Sequence, residues 1–99
     1  MRIHLAPEAE ADLESIWLYV ATESASNETA DTLIDRLLGR LSLLPSHPYL
    51  GRSRTDEFGP GTRSLAAGEY VIVYAIQREE IQILRIVHGR RDLYALFDI

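Results

Sequence analysis

The chain has 99 residues, is 46% hydrophobic and 25% charged, and carries a formal net charge of -5 at pH 7. That length supports one core and not two, and the negative balance argues against a long nucleic-acid track, which needs clustered positive charge. With no cysteine there is no disulfide or thiolate chemistry, and the longest apolar run, 70–76, is far shorter than a membrane span.

The N-terminus lacks the basic-then-apolar pattern of a secretory signal, so the expected location is the cytoplasm. Charge is unevenly spread: residues 1–50 hold eight acids and three arginines, residues 51–99 seven of each. Lysine is absent; every cation is an arginine, a planar fork suited to carboxylates, phosphates and aromatic faces.

Arg2-Ile-His-Leu-Ala6 alternates, with Ile3 and Leu5 on one side, and predicts a short first strand. Pro7 suits the opening position of a helix, and Glu8, Glu10 and Asp12 favour its start. Ala9, Leu13, Ile16, Trp17 and Val20 recur at helical spacing, which predicts a helix over 7–22 with a buried stripe. After Ser24-Ala-Ser-Asn27, which supplies Ser26 or Asn27 as a cap, the pattern resumes at Ala30, Leu33, Ile34, Leu37, Leu38, Leu41 and Leu44. A connection this short makes the two helices antiparallel neighbours. Pro45 closes the second helix. Pro48, Gly51, Gly59, Pro60 and Gly61 then mark a long loop whose aromatics, Tyr49 and Phe58, are candidates for exposure or for anchoring it.

Thr62-Arg-Ser-Leu-Ala-Ala67 predicts a strand, and Gly68-Glu69 a two-residue hairpin turn. Counting outward pairs Ala67 with Tyr70, Leu65 with Ile72 and Arg63 with Tyr74. Two dense apolar runs, 70–76 and 81–87, flank the polar Gln77-Arg-Glu-Glu80 and predict a second hairpin. In that register Ile76 faces Ile81, Tyr74 faces Ile83, Ile72 faces Arg85 and Tyr70 faces Val87. Side chains alternate between faces along a strand. One face therefore gathers Val71, Val73, Ala75, Leu84 and Ile86, expected to meet the helices. The other gathers Tyr70, Ile72, Tyr74, Ile76, Ile81, Ile83 and the guanidiniums of Arg63 and Arg85, expected to face a partner.

Two arginines and a tyrosine, Arg63, Arg85 and Tyr74, on one face are the candidates for ribonuclease chemistry, with the guanidiniums stabilising charge on phosphorus. Such a reaction also needs a general acid and base, and the candidates are thin: there is no lysine, and His88 has the wrong parity in the expected register. A role for Arg63 and Arg85 in partner binding or structure therefore outweighs catalysis. His4, His47 and His88 are scattered without ligand spacing, so neither a metal nor a cofactor is expected. Trp17 reads as core. The tail His88-Gly-Arg-Arg-Asp92, followed by Leu93-Tyr-Ala-Leu-Phe97, reads as a docked final turn or a recognition segment. The candidate partner-binding residues are Arg63, Tyr70, Tyr74, Arg85, His88, Arg90, Arg91 and Tyr94.

The ordered elements Ala11-Asp-Leu13 with Ile16, Pro48-x-x-Gly51, Thr62-Arg-Ser-Leu65, Tyr70-x-Ile-x-Tyr74 and Ile83-Leu-Arg-Ile-Val-His-Gly-Arg-Arg-Asp92 resemble, over essentially the whole chain, the RelE/ParE superfamily of toxins from type II toxin-antitoxin systems. The resemblance implies one α+β domain over 1–99, β-α-α-β-β-β, with a helical hairpin packed on one face of an antiparallel sheet. It leans to the ParE branch, through the His-Gly-Arg-Arg-Asp ending and the acidic charge. For that branch it implies inhibition of DNA gyrase by protein binding, with neutralisation by a cognate antitoxin, commonly of the ribbon-helix-helix type, and no direct DNA binding by the toxin alone. Two alternatives stand beside this: a RelE-like ribosome-dependent mRNA endoribonuclease, and a nontoxic antitoxin-binding module.

Overall fold

Residues 1–89, 91–93 and 95 are described by the computed structural model. Strand β1 spans Arg2–Leu5 and helix α1 spans Pro7–Ser24, with Pro7 in the first turn, where its missing N–H costs nothing. The helix ends on Ala25 in a left-handed conformation, and the Ser26 hydroxyl accepts the Thr29 N–H at 3.1 Å to cap helix α2, Asn27–Leu41. The helices are pinned by the Trp17 indole, which donates to Asp31 at 2.7 Å. Trp17 is thus half-buried and hydrogen-bonded between helices, where the sequence reading placed it in the core. Helix α2 stops short of the expected Leu44, because tight turns take over: Leu43 N–H donates to Arg40 O and Leu44 N–H to Leu41 O.

The long loop contains a two-residue strand, β2 (Arg52–Ser53), and a single helical turn, α3 (Thr55–Phe58). Strands β3 (Thr62–Ala67), β4 (Tyr70–Gln77) and β5 (Glu80–His88) follow. The sheet order is β1-β5-β4-β3-β2, antiparallel throughout except that β1 runs parallel to β5. This is the expected β-α-α-β-β-β arrangement, with β2 and α3 added inside the loop.

Both hairpins form where the turn residues place them. Gly68 takes φ 62, and the pairs Ala67 with Tyr70, Leu65 with Ile72 and Arg63 with Tyr74 are all present. The second turn is tighter than the four-residue connector expected: Gln77 pairs with Glu80, leaving Arg78 and Glu79 at φ 50 and 63. Ile76 with Ile81 and Tyr74 with Ile83 hold as predicted. Beyond them a β-bulge at Leu84 shifts the register, so that Val73 pairs with Arg85, Ile72 with Ile86 and Tyr70 with His88. The expected pairs Ile72 with Arg85 and Tyr70 with Val87 do not form.

The face assignment is also reversed, except at Ile86, which meets the helices as expected because the bulge turns it over. The side that meets the helices is Leu65, Ala67, Tyr70, Ile72, Tyr74, Ile81, Ile83 and Ile86, packed on Ala9, Ile16, Leu37, Leu41 and Leu44. Val73 and Val87 lie on the other side, with Val71, Leu84, Phe58 and Leu93. Two physical reasons account for this. Tyrosine buries its ring whenever its hydroxyl finds a partner inside, so its presence does not mark a wet face. Both faces are also covered, so counting apolar residues does not tell them apart. The face expected to receive a partner is filled by the chain's own helices.

Candidate functional site

Tyr74 is fully buried, and its hydroxyl donates to Pro48 O at 2.7 Å and accepts the Gly51 N–H at 2.9 Å. From the neighbouring strand, the Arg63 guanidinium donates to Gly51 O at 2.7 Å and Tyr49 O at 3.3 Å, and lies 5.3 Å from the Tyr49 ring centroid. These two side chains fasten the Pro48–Gly51 loop. A Cβ at Gly51 would sit 2.8 Å from Ser64 O and from the Tyr74 ring, so the loop can press this close only with glycine there.

Arg85 does something similar at the opposite edge. Strand β1 ends at Leu5, leaving the outer edge of β5 without a strand past Ile83. Asp12 of α1 fills the gap: it accepts Arg85 Nε and Nη2 at 2.8 and 3.0 Å, and the Ile86 N–H at 2.8 Å. The hydrogen bond to Asp12 holds the Arg85 proton more tightly than usual. Arg63 and Arg85 therefore do not converge on an open face. Each is a strut, and Tyr74 is inaccessible, so Arg63, Arg85 and Tyr74 do not come together as the expected ribonuclease constellation.

What the fold does bring together is Tyr70, His88 and Arg91. They line a groove of about 910 Å³ between the helical hairpin and the β3–β4 turn, with Tyr19, Val20, Leu33, Arg36 and Arg40 along its helical wall. The bulge at Leu84 puts His88 opposite Tyr70, ring centroids 5.7 Å apart, which corrects its expected parity. His88 Nδ1 accepts the Arg91 N–H at 3.3 Å, so a neutral imidazole keeps its proton on Nε2, which lies 4.0 Å from Glu69. Arg91 stacks on Tyr19 at 5.9 Å. Burial pushes the Tyr70 phenol pKa up, against the opposing pull of Arg91.

The Arg40 guanidinium donates to Ala66 O on β3 at 3.2 Å. Arg36, Arg40 and Arg91 outnumber Glu69 in the lining across an apolar floor, with Arg91 also 3.5 Å from Asp92, so the groove is locally basic in an acidic protein. It suits an amphipathic acidic segment. Sequence reading missed Asp12, Tyr19, Arg36 and Arg40; the one available signal was the i, i+4 spacing of Arg36 and Arg40, which puts both on one helix face. Arg90 and Tyr94 lie outside the described residues, as does most of the segment after Leu93. Leu93 itself is buried in the second cluster, as a docked turn requires. Among the described residues no group of acids and histidines is arranged to hold a metal, and no helix is long and apolar enough to cross a membrane.

The chain is similar to known proteins in sequence and in fold. Residues 3–93 match the family model described as the ParE toxin of the type II toxin-antitoxin system parDE. Toxin ParE1 of Mycobacterium tuberculosis is 31% identical over 93 residues, 93% of each chain. Toxin RelE3 of Caulobacter vibrioides is 33% identical over 89 residues, 88% of this chain and 92% of that one. In fold, the chain is similar to a chain of the chromosomal ParDE system from P. aeruginosa, with TM-score 0.76, 24% identity, and 89% and 95% of the two chains covered. It is also similar to a chain of the RelBE2 toxin-antitoxin complex from Mycobacterium tuberculosis, with TM-score 0.58, 24% identity, and 88% and 95% covered.

Proposed function

As this chain belongs to the ParE family of toxins from type II toxin-antitoxin systems, we propose that it works by binding, inhibiting DNA gyrase until a cognate antitoxin occupies the groove between the hairpin and the β3–β4 turn. The observation that carries the reading is the division of the arginines. Arg63 and Arg85 are consumed by Gly51, Tyr49 and Asp12, while Arg36 and Arg91 line an open groove with an apolar floor, beside Arg40, which is bonded to Ala66 O. An antitoxin segment with aliphatic residues on one side and acids on the other matches that lining. Tyr70, His88 and Arg91 are its contacts at the sheet end. The antitoxin is of the ribbon-helix-helix type implied by the resemblance, and the toxin acts in the cytoplasm, where gyrase is found.

Supercoiling by purified gyrase, titrated with this protein, tests the reading: inhibition is expected, and its reversal by the product of the adjacent gene. Supercoiling untouched at excess protein would sink it. The similarity to a RelE toxin favours one second reading, the ribosome-dependent endoribonuclease. New 5' ends on translated messages after induction would establish that reading, and neither effect would leave a nontoxic antitoxin partner.

A further inference from the structure

The tied-down loop Pro48–Gly51 has a property its anchoring does not explain. Four hydrogen bonds from Tyr74 and Arg63 hold its backbone. Yet Tyr49 is 67% exposed and Leu50 46% exposed, and Leu43 just before them is 40% exposed. A scattered surface leucine is ordinary. A Tyr-Leu pair on a backbone already fixed from beneath is different, because little conformational freedom remains to be lost when a partner covers it. Strands carry the anchors and the loop carries the display.

The surrounding charge says what kind of partner fits. Two arginines, Arg52 and Arg54, stand beside the loop, and Asp56 and Glu57 follow them. Arg54 is engaged with Ser64 and lies 3.9 Å from Glu57, whereas Arg52, next to Gly51, is exposed with no ion pair among the described residues. Tyrosine and arginine are the residue types that most often dominate binding energy at protein interfaces.

We propose that Tyr49 and Leu50, flanked by Arg52, are the contact for the toxin's protein target: a folded surface with an apolar recess rimmed by carboxylates. This surface is separate from the groove, whose lining does not include the Pro48–Gly51 loop. The proposal rests on the gyrase reading, and gyrase holoenzyme is the probe. The test compares wild type, a Tyr49→Ser/Leu50→Ser double variant and Arg52→Glu for gyrase binding by surface plasmon resonance, with the melting transition and antitoxin binding measured alongside. The double variant is expected to bind gyrase at least about tenfold more weakly, with antitoxin affinity unchanged and melting lowered only by the lost Arg63–Tyr49 stacking. Arg52→Glu is expected to slow association severalfold and to decide the matter should the double variant fail to fold. Wild type that binds gyrase, with folded variants that bind equally well, overturns the inference and leaves the function standing. Wild type that does not bind gyrase overturns both.

Discussion

Two sets of arginines in this molecule have opposite fates. Arg63 and Arg85 project from the sheet and are consumed within it: one fastens a loop through backbone carbonyls, the other meets Asp12 where β1 runs out. Arg36 and Arg91 project from the helical hairpin and the chain's end and remain at the surface of a groove. The difference lies in what stands within reach. A guanidinium beside a strand end finds unpaired carbonyls or a carboxylate and becomes structure; one on an outward helix face finds water and stays available to a partner.

The largest effect that separates the sets is expected at Asp12. Asp12→Ala strips Arg85 of its bidentate partner and the Ile86 N–H of its acceptor, and should cost about 2–4 kcal/mol in denaturant unfolding. Tyr74→Phe leaves the Gly51 N–H and Pro48 O without their buried partner and should cost about 1–3 kcal/mol, read the same way. Arg36→Ala should change stability by no more than about 0.5 kcal/mol, while weakening antitoxin binding measured by calorimetry. A large loss of stability there would erase the distinction between the two sets.

A smaller effect follows from Tyr70. Its pKa is raised by burial, so the stability owed to its neutral phenol is complete below pH ~10, the ordinary tyrosine value, and is lost as pH rises through the higher folded value. Alkaline titration followed by phenolate absorbance should show a late-titrating component that is lost in Tyr70→Phe, whose stability should fall less steeply above pH ~10.

The sequence made the elements legible wherever local chemistry decides them. Pro7, Ser26 and the Gly68-Glu69 turn placed the helix starts and the first hairpin, and with it the pairing of Arg63 with Tyr74. Part of what escaped depended on a single inserted residue. The bulge at Leu84 leaves the composition of β5 unchanged, yet it reverses every side chain after it relative to a straight register, taking Arg85 to Asp12 and His88 to Tyr70. Asp12 was equally hidden, because its partners lie 73 and 74 residues away and its local pattern is that of an ordinary acid in a helix's early turns. The groove was partly legible: Tyr70, His88 and Arg91 were singled out by residue type, but its helical wall required knowing which face of the sheet the hairpin covers.

The central proposal, that the sheet arginines serve the fold and not the target, is tested most directly by Arg85→Gln, with its unfolding midpoint and its gyrase inhibition per folded molecule measured on the same sample. The account predicts a lower midpoint with inhibition equal to wild type. An unchanged midpoint with inhibition abolished would contradict it.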